Sequence, residues 1–376
     1  MFELLVFLFL VLLVFFVGSY GGYYLYLRSR VGKPWGFVVD EGFEPSVSVL
    51  IPVHNEEKKI EEKLENVSGV VYPREKLEVV VVDDASSDET LSKVKGFNER
   101  NPSLNVKIVK QEVHGGKAVA LNKALSACSG SVLVVSDADT LWPADALKRA
   151  LAFLADPVVG AVTGRSVNRV AGDSWVTRGE DEYLRFAEVV RLGESKVHST
   201  IRFEGGLCAF KREAFERFDC VSGSDDSGTA LEVVQNGFRT ILAPGAVFFT
   251  EFPSGFGGKL RVKVRRANQL IGLWVKCFKL LLKGGLRLPK RIVIPEFLLF
   301  VVDPILFVML IATAVVGIVV FPFSMFTLLV AVLLLGGLAA GRRLFFEIVV
   351  DNLILLYALL ERLTGKRYVA WKRTDA

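Results

Sequence analysis

The stretch Ser131-Val132-Leu133-Val134-Val135-Ser136-Asp137-Ala138-Asp139 says most about how this chain folds. Its apolar half predicts a buried β-strand, and its end places two carboxylates just beyond that strand. Open α/β sheets bind their ligands at the carboxyl ends of strands. Two acids one residue apart at such a position suit a hard divalent cation, which takes oxygen ligands and bridges to phosphates. Aspartate is also common in turns, so the pair indicates a cation site only in combination with other segments around it.

The surrounding residues alternate between buried strands and helices. We predict strands at 47–53, 77–82, 106–109 and 131–136, and helices at 56–67, 88–97, 117–127 and 144–154. Repeated strand, helix, strand units imply right-handed crossovers and an α/β fold with a mostly parallel sheet flanked by helices. The loops that leave the strand C-termini therefore gather at one edge of a single domain, which we expect over 47–252.

Three further loops at this edge carry polar or glycine residues. The first strand ends in Pro52-Val53-His54-Asn55-Glu56 and the second in Asp83-Asp84. Asn and Glu are favoured at ordinary helix N-termini, but two adjacent acids at a strand end repel each other and need a cation or a donor beside them. Gly115-Gly116-Lys117 opens the third helix, where glycine allows close backbone approach to a phosphate and lysine adds positive charge.

A second acidic pair, Asp225-Asp226, precedes a helix that we predict from about 229 to 236. Isolated acids at such a place are commonly capping residues. Here the chain already supplies a metal and phosphate site that lacks a base, so we favour a catalytic role for the pair.

Bulk composition indicates that part of the chain lies in a membrane. Of its 376 residues 51% are hydrophobic, and the mean hydropathy is +0.41, which is high for a wholly soluble protein. Residues 2–27 carry one charge, and about 20 apolar residues suffice to cross a bilayer. A signal peptide is the alternative, but neither a basic start nor a clean cleavage site is present. We predict a retained anchor at 1–27 and a linker at 28–46, with Arg28, Arg30 and Lys33 on the cytosolic side.

A second apolar region predicts two transmembrane helices at 292–341, after which Arg342 and Arg343 return the chain to the cytosol. Within the final segment, 342–376, Glu347 and Asp351 share one helical face. We interpret that segment as an interfacial or protein-packed helix followed by a basic cytosolic tail. This layout predicts an integral protein of the plasma membrane with a cytosolic catalytic domain.

Residues 259–291 contain many lysines and arginines and no acid. Nucleic acid is one partner for such a segment, but beside membrane spans a basic amphipathic helix suits anionic lipid headgroups better. We therefore predict interfacial helices at 253–291, membrane lipids as a partner and no nucleic acid. The four cysteines and three histidines are too dispersed to indicate a zinc site or a disulfide framework.

Taken in order, these motifs resemble those of the family 2 glycosyltransferases with the GT-A fold, over most of 47–274. The residues that carry the resemblance are Val49-Leu50-Ile51-Pro52-Val53-His54-Asn55-Glu56-Glu57, Val81-Val82-Asp83-Asp84-Ala85-Ser86-Ser87-Asp88, Gly116-Lys117-Ala118 with Leu121-Asn122, Asp137-Ala138-Asp139, and Asp225-Asp226 with Gly237-Phe238-Arg239. Five ordered motifs are far more specific than any one of them.

The resemblance implies roles for individual residues. Nucleotide binding falls to Pro52, Val53, His54, Asn55, Glu56, Asp83, Asp84, Gly116, Lys117, Asp137, Ala138 and Asp139. Asp137 and Asp139 would hold Mg²⁺ or Mn²⁺ on the diphosphate, and Asp226, beside Asp225, would act as general base on the acceptor hydroxyl, with inversion at the anomeric carbon. On the acceptor side we expect Glu204, Gly205, Gly206, Arg265 and Arg266.

The chain departs from the family pattern in two places. Asp225 stands where a Glu is usual, which keeps the charge. The QxxRW motif of polymer-making members is replaced by Lys263-Val264-Arg265-Arg266-Ala267, which weakens the case for processive synthesis. The membrane layout, including the terminal Trp371-Lys372-Arg373, still resembles the hyaluronan, chitin and cellulose synthase branch and the polyprenyl-phosphate glycosyltransferases.

We therefore expect transfer of a sugar from a nucleotide sugar to a membrane-embedded lipid or lipid-linked glycan. A UDP-sugar is the first choice of donor and GDP-mannose its main rival, and polysaccharide elongation is the runner-up activity. From another class, residues 134–140 resemble the nucleophile loop of haloacid-dehalogenase phosphohydrolases, but Leu141 breaks that pattern and the earlier motifs would be idle. A catalytically inactive nucleotide-binding protein is a third possibility, against which Asp139 and Asp226 argue.

Overall fold

Apolar runs form the central sheet in the computed structural model, which describes residues 2–169, 175–220, 224–253 and 255–368. The described strands are β1 (Val47–Val53), β2 (Leu77–Asp84), β3 (Asn105–Gln111), β4 (Val132–Val135), β5 (Val159–Asn168), β6 (Cys208–Lys211) and β7 (Arg239–Thr250). They lie in the order β3-β2-β1-β4-β6-β5-β7, and β6 alone of these described strands runs antiparallel to its neighbours. The predicted α/β fold with a mostly parallel sheet is confirmed.

Helices cover both faces of this sheet and bury its two sets of alternating side chains. Those of the sheet region are Ile60–Ser68, Thr90–Arg100, Lys117–Ala124, Ala146–Leu151, Trp175–Val197 and Asp225–Gln235. Val49 and Ile51 of β1 belong to the core on one face, and Leu50 belongs to the core on the other. Because β1 is buried on both faces, its sequence is a nearly continuous apolar run, with Ser48 as the one polar residue.

Two element boundaries near the candidate site differ from expectation. Strand β2 continues through Asp84, two residues beyond its predicted end, because the Asp84 carboxylate finds hydrogen-bond donors inside the fold. The helix expected from about residue 229 begins at Asp225, so both members of the second acidic pair lie in its first turn. Negative charges are favoured there by the helix dipole.

Two helices, Phe2–Val31 and Lys290–Val320, are long and apolar enough to cross a membrane, judged by length and composition. The first continues beyond residue 27, so that Arg28 and Arg30 belong to its last turns instead of to a linker. A shorter apolar helix, Met325–Ala339, belongs to a longer one that bends at Gly341 and ends at Leu363. The predicted tail segment Trp371-Lys372-Arg373 lies outside the described residues.

The basic Phe256–Leu282 helix does not present all of its lysines to a lipid surface. Lys259 and Lys263 are buried, and their Nζ atoms lie 2.6 Å and 3.5 Å from carboxylate oxygens of Glu347. The Lys263 Nζ also lies 2.8 Å from Asp351 and 3.3 Å from Glu180. The expectation that these two lysines face lipid headgroups is therefore wrong: acids about 88 residues away along the chain neutralise them inside the protein.

Replacing Lys259 by methionine is expected to destabilise the protein by about 3–5 kcal/mol, because Glu347 would lose its closest cation while staying buried. Methionine keeps a similar length and helix propensity, so the effect reports the lost charge. The apparent melting temperature in detergent measures it, with Lys279→Met, at an exposed position of the same helix, as control. Equal melting temperatures for the two variants would contradict this account of the cluster.

Candidate active site

The loops after β1 and β2 are tied to each other by hydrogen bonds. Asn55 adopts a left-handed backbone conformation with φ 56°, which asparagine tolerates better than most residues. Its N–H donates to Ser86 Oγ (3.0 Å), and its Oδ1 accepts from the N–H of Ser87 (2.8 Å). The N–H of Glu56 donates to Thr90 Oγ1 (2.8 Å). Asn55 thus serves mainly to join the two loops, and His54 and Glu56 on either side of it line the cavity described below.

Asp84 organises the glycine loop before the third helix of the sheet region. Its carboxylate accepts from the N–H groups of Gly115 (2.8 Å) and Gly116 (2.7 Å) and from Gln111 Nε2 (2.8 Å). These donors offset the repulsion between adjacent acids that the sequence indicates. The two glycine N–H groups, for which we considered a phosphate partner, are used here to hold the loop.

Two histidines that are distant in sequence meet beside Asp84. The rings of His54 and His114 stack with their centroids 4.1 Å apart, and His114 Nδ1 lies 2.9 Å from the Asp84 carboxylate. His54 Nδ1 lies 2.7 Å from the Asp84 carbonyl oxygen. Their separation of 60 residues hid this contact, because it depends on the parallel arrangement of β1, β2 and β3.

Three carboxylates from separate parts of the chain converge on Lys117. Its Nζ lies 2.8 Å from Asp137 Oδ1, 3.3 Å from Asp225 Oδ2 and 3.2 Å from Asp226 Oδ2. Lys117 begins the helix after the glycine loop, Asp137 follows β4, and the other two acids begin the Asp225–Gln235 helix. The sheet therefore brings together the first acid of the metal motif, the candidate base and the motif lysine.

The surroundings of Asp226 and Asp137 shift the pKa values of the two carboxyl groups in opposite directions. Burial and the neighbouring Asp225 carboxylate raise the pKa of Asp226 from 3.8 to about 7. Burial also favours the neutral form of Asp137, but Lys117 more than offsets this and holds the pKa of Asp137 below its usual range. A carboxylate whose pKa lies near neutrality accepts a proton more readily than an ordinary aspartate, as a general base requires.

A single cavity of about 2290 Å³ contains most of the predicted site residues. Those that line it are His54, Glu56, Gly116, Lys117, Asp137, Asp139, Glu204, Gly205, Gly206, Asp225, Asp226, Arg265 and Arg266. Those that do not are Pro52, Val53, Asn55, Asp83, Asp84 and Ala138. Apart from Asn55, the second group is buried, and these residues shape the loops around the cavity. Their role in nucleotide binding stays a prediction.

Sequence patterns did not reveal two charged residues next to this cavity. Arg191 is buried in the Trp175–Val197 helix, and its Nη1 lies 2.7 Å from Glu204 Oε1. Lys63 is fully buried behind the metal motif. One signal for Lys63 was present: it shares a helical face with Ile60, Leu64 and Val67, at the spacing of a buried stripe.

Substituting Gly205 by alanine is expected to lower the sugar-transfer activity that the sequence motifs imply by about 100-fold, since small misplacements of reacting groups have costs of that order. An added Cβ would meet Lys117 Nζ, Asp137 Oδ2 (2.7 Å) and Asp226 Oδ2 (2.8 Å), and would push the three charged groups apart. Gly257→Ala, where the Cβ meets nothing within 4 Å, is the matched control. Steady-state transfer rates measure the effect, and full activity of Gly205→Ala would show that this close approach is unimportant.

The acidic motif offers oxygen ligands that suit a divalent cation. Asp137 and Asp139 offer the hard oxygen ligands that Mg²⁺ and Mn²⁺ take. Among the residues that the structure describes, no group of three or more His, Cys, Asp or Glu side chains is arranged to hold a metal ion. Two carboxylates with diphosphate oxygens and water match the octahedral coordination that Mg²⁺ prefers.

Comparison with known proteins agrees with this geometry. The sequence profile of Glycosyl transferase family 2 matches residues 48–218. A solved structure, the mannosyltransferase PcManGT from Pyrobaculum calidifontis in complex with GDP-Man and Mn²⁺, is 32% identical with a TM-score of 0.82. That similarity covers 96% of this chain and 100% of the other.

Curated relatives match over shorter lengths. The probable glycosyltransferase YdaM of Bacillus subtilis is 30% identical over 61% of this chain and 56% of its own length. The beta-monoglucosyldiacylglycerol synthase of Synechocystis is 29% identical over 42% of this chain and 34% of its own. The matches thus span about half of one relative and a third of the other. Because the similarity to the solved mannosyltransferase extends over both whole chains, the family assignment does not depend on these partial matches: the chain belongs to glycosyltransferase family 2.

Proposed function

We propose that this protein is a metal-dependent, inverting glycosyltransferase that moves a sugar from a nucleotide sugar to a lipid or lipid-linked glycan in the membrane. The observation that carries the proposal is the convergence of Asp137, Asp225 and Asp226 on Lys117 in the cavity that Asp139 also lines. The family assignment sets aside the phosphohydrolase alternative. The donor screen below tests the alternative of a catalytically inactive nucleotide-binding protein.

The mechanism divides between two groups of acids. Asp226 accepts the proton of the acceptor hydroxyl as that oxygen attacks the anomeric carbon, and direct displacement then inverts the configuration. Asp137 and Asp139 would hold the divalent cation, which stabilises negative charge on the departing diphosphate. Lys117 adds a positive charge between the two groups, and Asp225 keeps the pKa of Asp226 raised.

GDP-mannose is the donor that we propose to test first. The solved mannosyltransferase that binds it is similar over 96% of this chain. This shifts the preference away from the UDP-sugar that the motifs alone suggested. UDP-sugars are the rival donors, and the screen below includes both.

The wall of the cavity supports a membrane-embedded acceptor. Tyr20 and Tyr24 of the first apolar helix and Leu299 and Phe300 of the second line the same cavity as the acids. Ligand pockets for single small molecules are commonly about 300–1,000 Å³. A volume of about 2290 Å³ therefore has room for donor and acceptor together. An acceptor anchored in the bilayer reaches the acids along this aromatic and aliphatic wall.

Charged residues near the apolar helices support a cytosolic catalytic domain. Arg28 and Arg30 lie in the last turn of Phe2–Val31, and Lys290 and Arg291 begin the second candidate span. Basic residues collect on the cytosolic side of membrane proteins. We therefore propose that the protein is integral to the plasma membrane, with the sheet domain and the exposed lysines of Phe256–Leu282 next to the inner leaflet.

A donor screen on membranes that contain the wild-type protein, beside Asp226→Asn, tests this function. Labelled GDP-mannose and UDP-sugars are supplied with Mg²⁺, Mn²⁺ or EDTA, and the product is extracted into organic solvent. The proposal predicts a lipid-soluble product with one added sugar that needs metal and wild-type protein. A series of products with increasing numbers of sugars would indicate elongation instead of single transfer. A lipid extract without label from any of the donors would overturn the proposal.

A further inference from the structure

Lys63 lies directly behind the metal motif and contacts both of its ends. It is completely buried in the Ile60–Ser68 helix. Its Nζ donates to Ser136 Oγ (2.6 Å) and to the carbonyl oxygen of Thr140 (2.8 Å), the residues that flank Asp137-Ala138-Asp139. The Nζ also lies 4.5 Å from the centre of the Trp142 ring. One side chain thus spans the whole turn that presents the two carboxylates.

The same contacts extend to the acceptor side of the cavity. Ser136 Oγ donates to the Gly206 carbonyl oxygen (2.9 Å), and Trp142 Nε1 donates to that oxygen as well (2.7 Å). The N–H of Asp137 donates to the carbonyl oxygen of Gly205 (3.0 Å). Lys63 therefore begins a hydrogen-bonded chain that joins the metal motif to the glycine pair beside Asp226.

Burying the Lys63 amine costs desolvation free energy, and an apolar side chain could fill the same space without that cost. Ile60, Leu64 and Val67 bury the same face of the helix, and methionine at position 63 would continue that face without desolvating an amine. Burial lowers the pKa of Lys63 to about 7, and the charges of Asp137 and Asp139 act in the opposite direction. In either protonation state the amine nitrogen can donate to the two oxygens that it contacts.

We propose that Lys63 is a positioning residue for the cation site: its two hydrogen bonds hold the 136–140 turn so that Asp137 and Asp139 bind the metal of the nucleotide together. This inference rests on the proposed function, because it takes a metal and nucleotide diphosphate as the ligand. Mutation of a residue that orients a metal ligand through hydrogen bonds commonly lowers metal affinity 10–100-fold. Lys63 is the residue of this chain to which we assign that effect.

The test measures Mn²⁺ binding to purified full-length protein in the presence of GDP or UDP, followed by electron paramagnetic resonance. Lys63→Met removes both hydrogen bonds, whereas Lys63→Gln keeps an amide that can donate to one or both oxygens. Lys148→Met, at a partly exposed lysine that pairs with Glu44, is the control. We expect the Mn²⁺ dissociation constant to rise about tenfold or more in Lys63→Met, to recover partly in Lys63→Gln and to stay unchanged in Lys148→Met.

The outcomes separate this inference from the function on which it rests. A lower melting temperature with unchanged Mn²⁺ affinity in both Lys63 variants would show that Lys63 only stabilises the fold, and would overturn the inference alone. If Lys63→Met does not fold, Ser136→Ala takes its place, because it removes one of the two oxygens to which Lys63 donates. Unchanged Mn²⁺ affinity in Ser136→Ala would then overturn the inference. Failure of wild-type protein to bind Mn²⁺ with either nucleotide would overturn the metal-dependent function and the inference with it.

Discussion

Replacing Asp226 by asparagine is expected to reduce sugar transfer by about 100- to 10,000-fold, the range that a positioned general base contributes. Asparagine keeps the shape of the side chain but cannot accept the proton of the attacking hydroxyl. Burial and Asp225 raise the pKa of Asp226 to about 7, so its carboxylate is a stronger proton acceptor than an ordinary aspartate. Because the change leaves Asp137 and Asp139 in place, nucleotide affinity should be retained.

Two measurements on the same preparation separate catalysis from binding. Transfer is followed with labelled donor, and nucleotide affinity with Mn²⁺ is followed by calorimetry. Asp145→Asn is the control, since Asp145 is exposed and pairs only with Arg149 among the ion pairs that the structure describes. Turnover by Asp226→Asn equal to wild type would show that Asp226 is not the general base. Loss of nucleotide binding in this variant would show that Asp226 contacts the donor instead of the acceptor.

Replacing Asp139 by alanine is expected to weaken nucleotide binding in the presence of metal by at least about tenfold, since even changes behind a metal ligand reach that size. Asp139 lines the cavity and is exposed, so its removal leaves the buried sheet intact. The cation would keep Asp137 but lose one of its two protein oxygens. Transfer should fall in parallel, because the departing diphosphate would be less well stabilised.

Nucleotide titrations with Mn²⁺ and with EDTA distinguish a metal effect from a loss of fold. In wild type, affinity should fall when EDTA replaces Mn²⁺, and Asp139→Ala should bind weakly under both conditions. Asp145→Ala should behave as wild type. The account of the acidic motif fails if Asp139→Ala retains the full response to Mn²⁺.

Local pattern was sufficient for much of the sheet and its loops. Strand β1 was predicted at its observed bounds because a parallel strand that is buried on both faces is a nearly continuous apolar run. Asp137 and Asp139 were assigned because they follow such a run. The convergence of Asp137, Asp225 and Asp226 on Lys117 follows from placing several loops at one sheet edge.

Sequence patterns could not predict contacts between residues that are far apart along the chain. Lys259 and Lys263 were interpreted as lipid-facing because no acid is near them in sequence. The acids that pair with them, Glu347 and Asp351 from the last described helix and Glu180 from the Trp175–Val197 helix, are more than 80 residues away. Gly115 and Gly116 suggested a phosphate site, but Asp84 takes their N–H groups. Lys63 was hidden in a charged helix, although its spacing from Ile60 and Leu64 placed it on the buried face.

The most direct test of the central claim is anomalous diffraction from crystals of the full chain grown with Mn²⁺ and GDP or UDP. The account predicts a manganese peak between the carboxylates of Asp137 and Asp139 and the diphosphate, within about 2–2.5 Å of oxygen ligands, with Asp226 nearby at Lys117. A nucleotide bound elsewhere, or a manganese peak with no contact to Asp137 or Asp139, would contradict it.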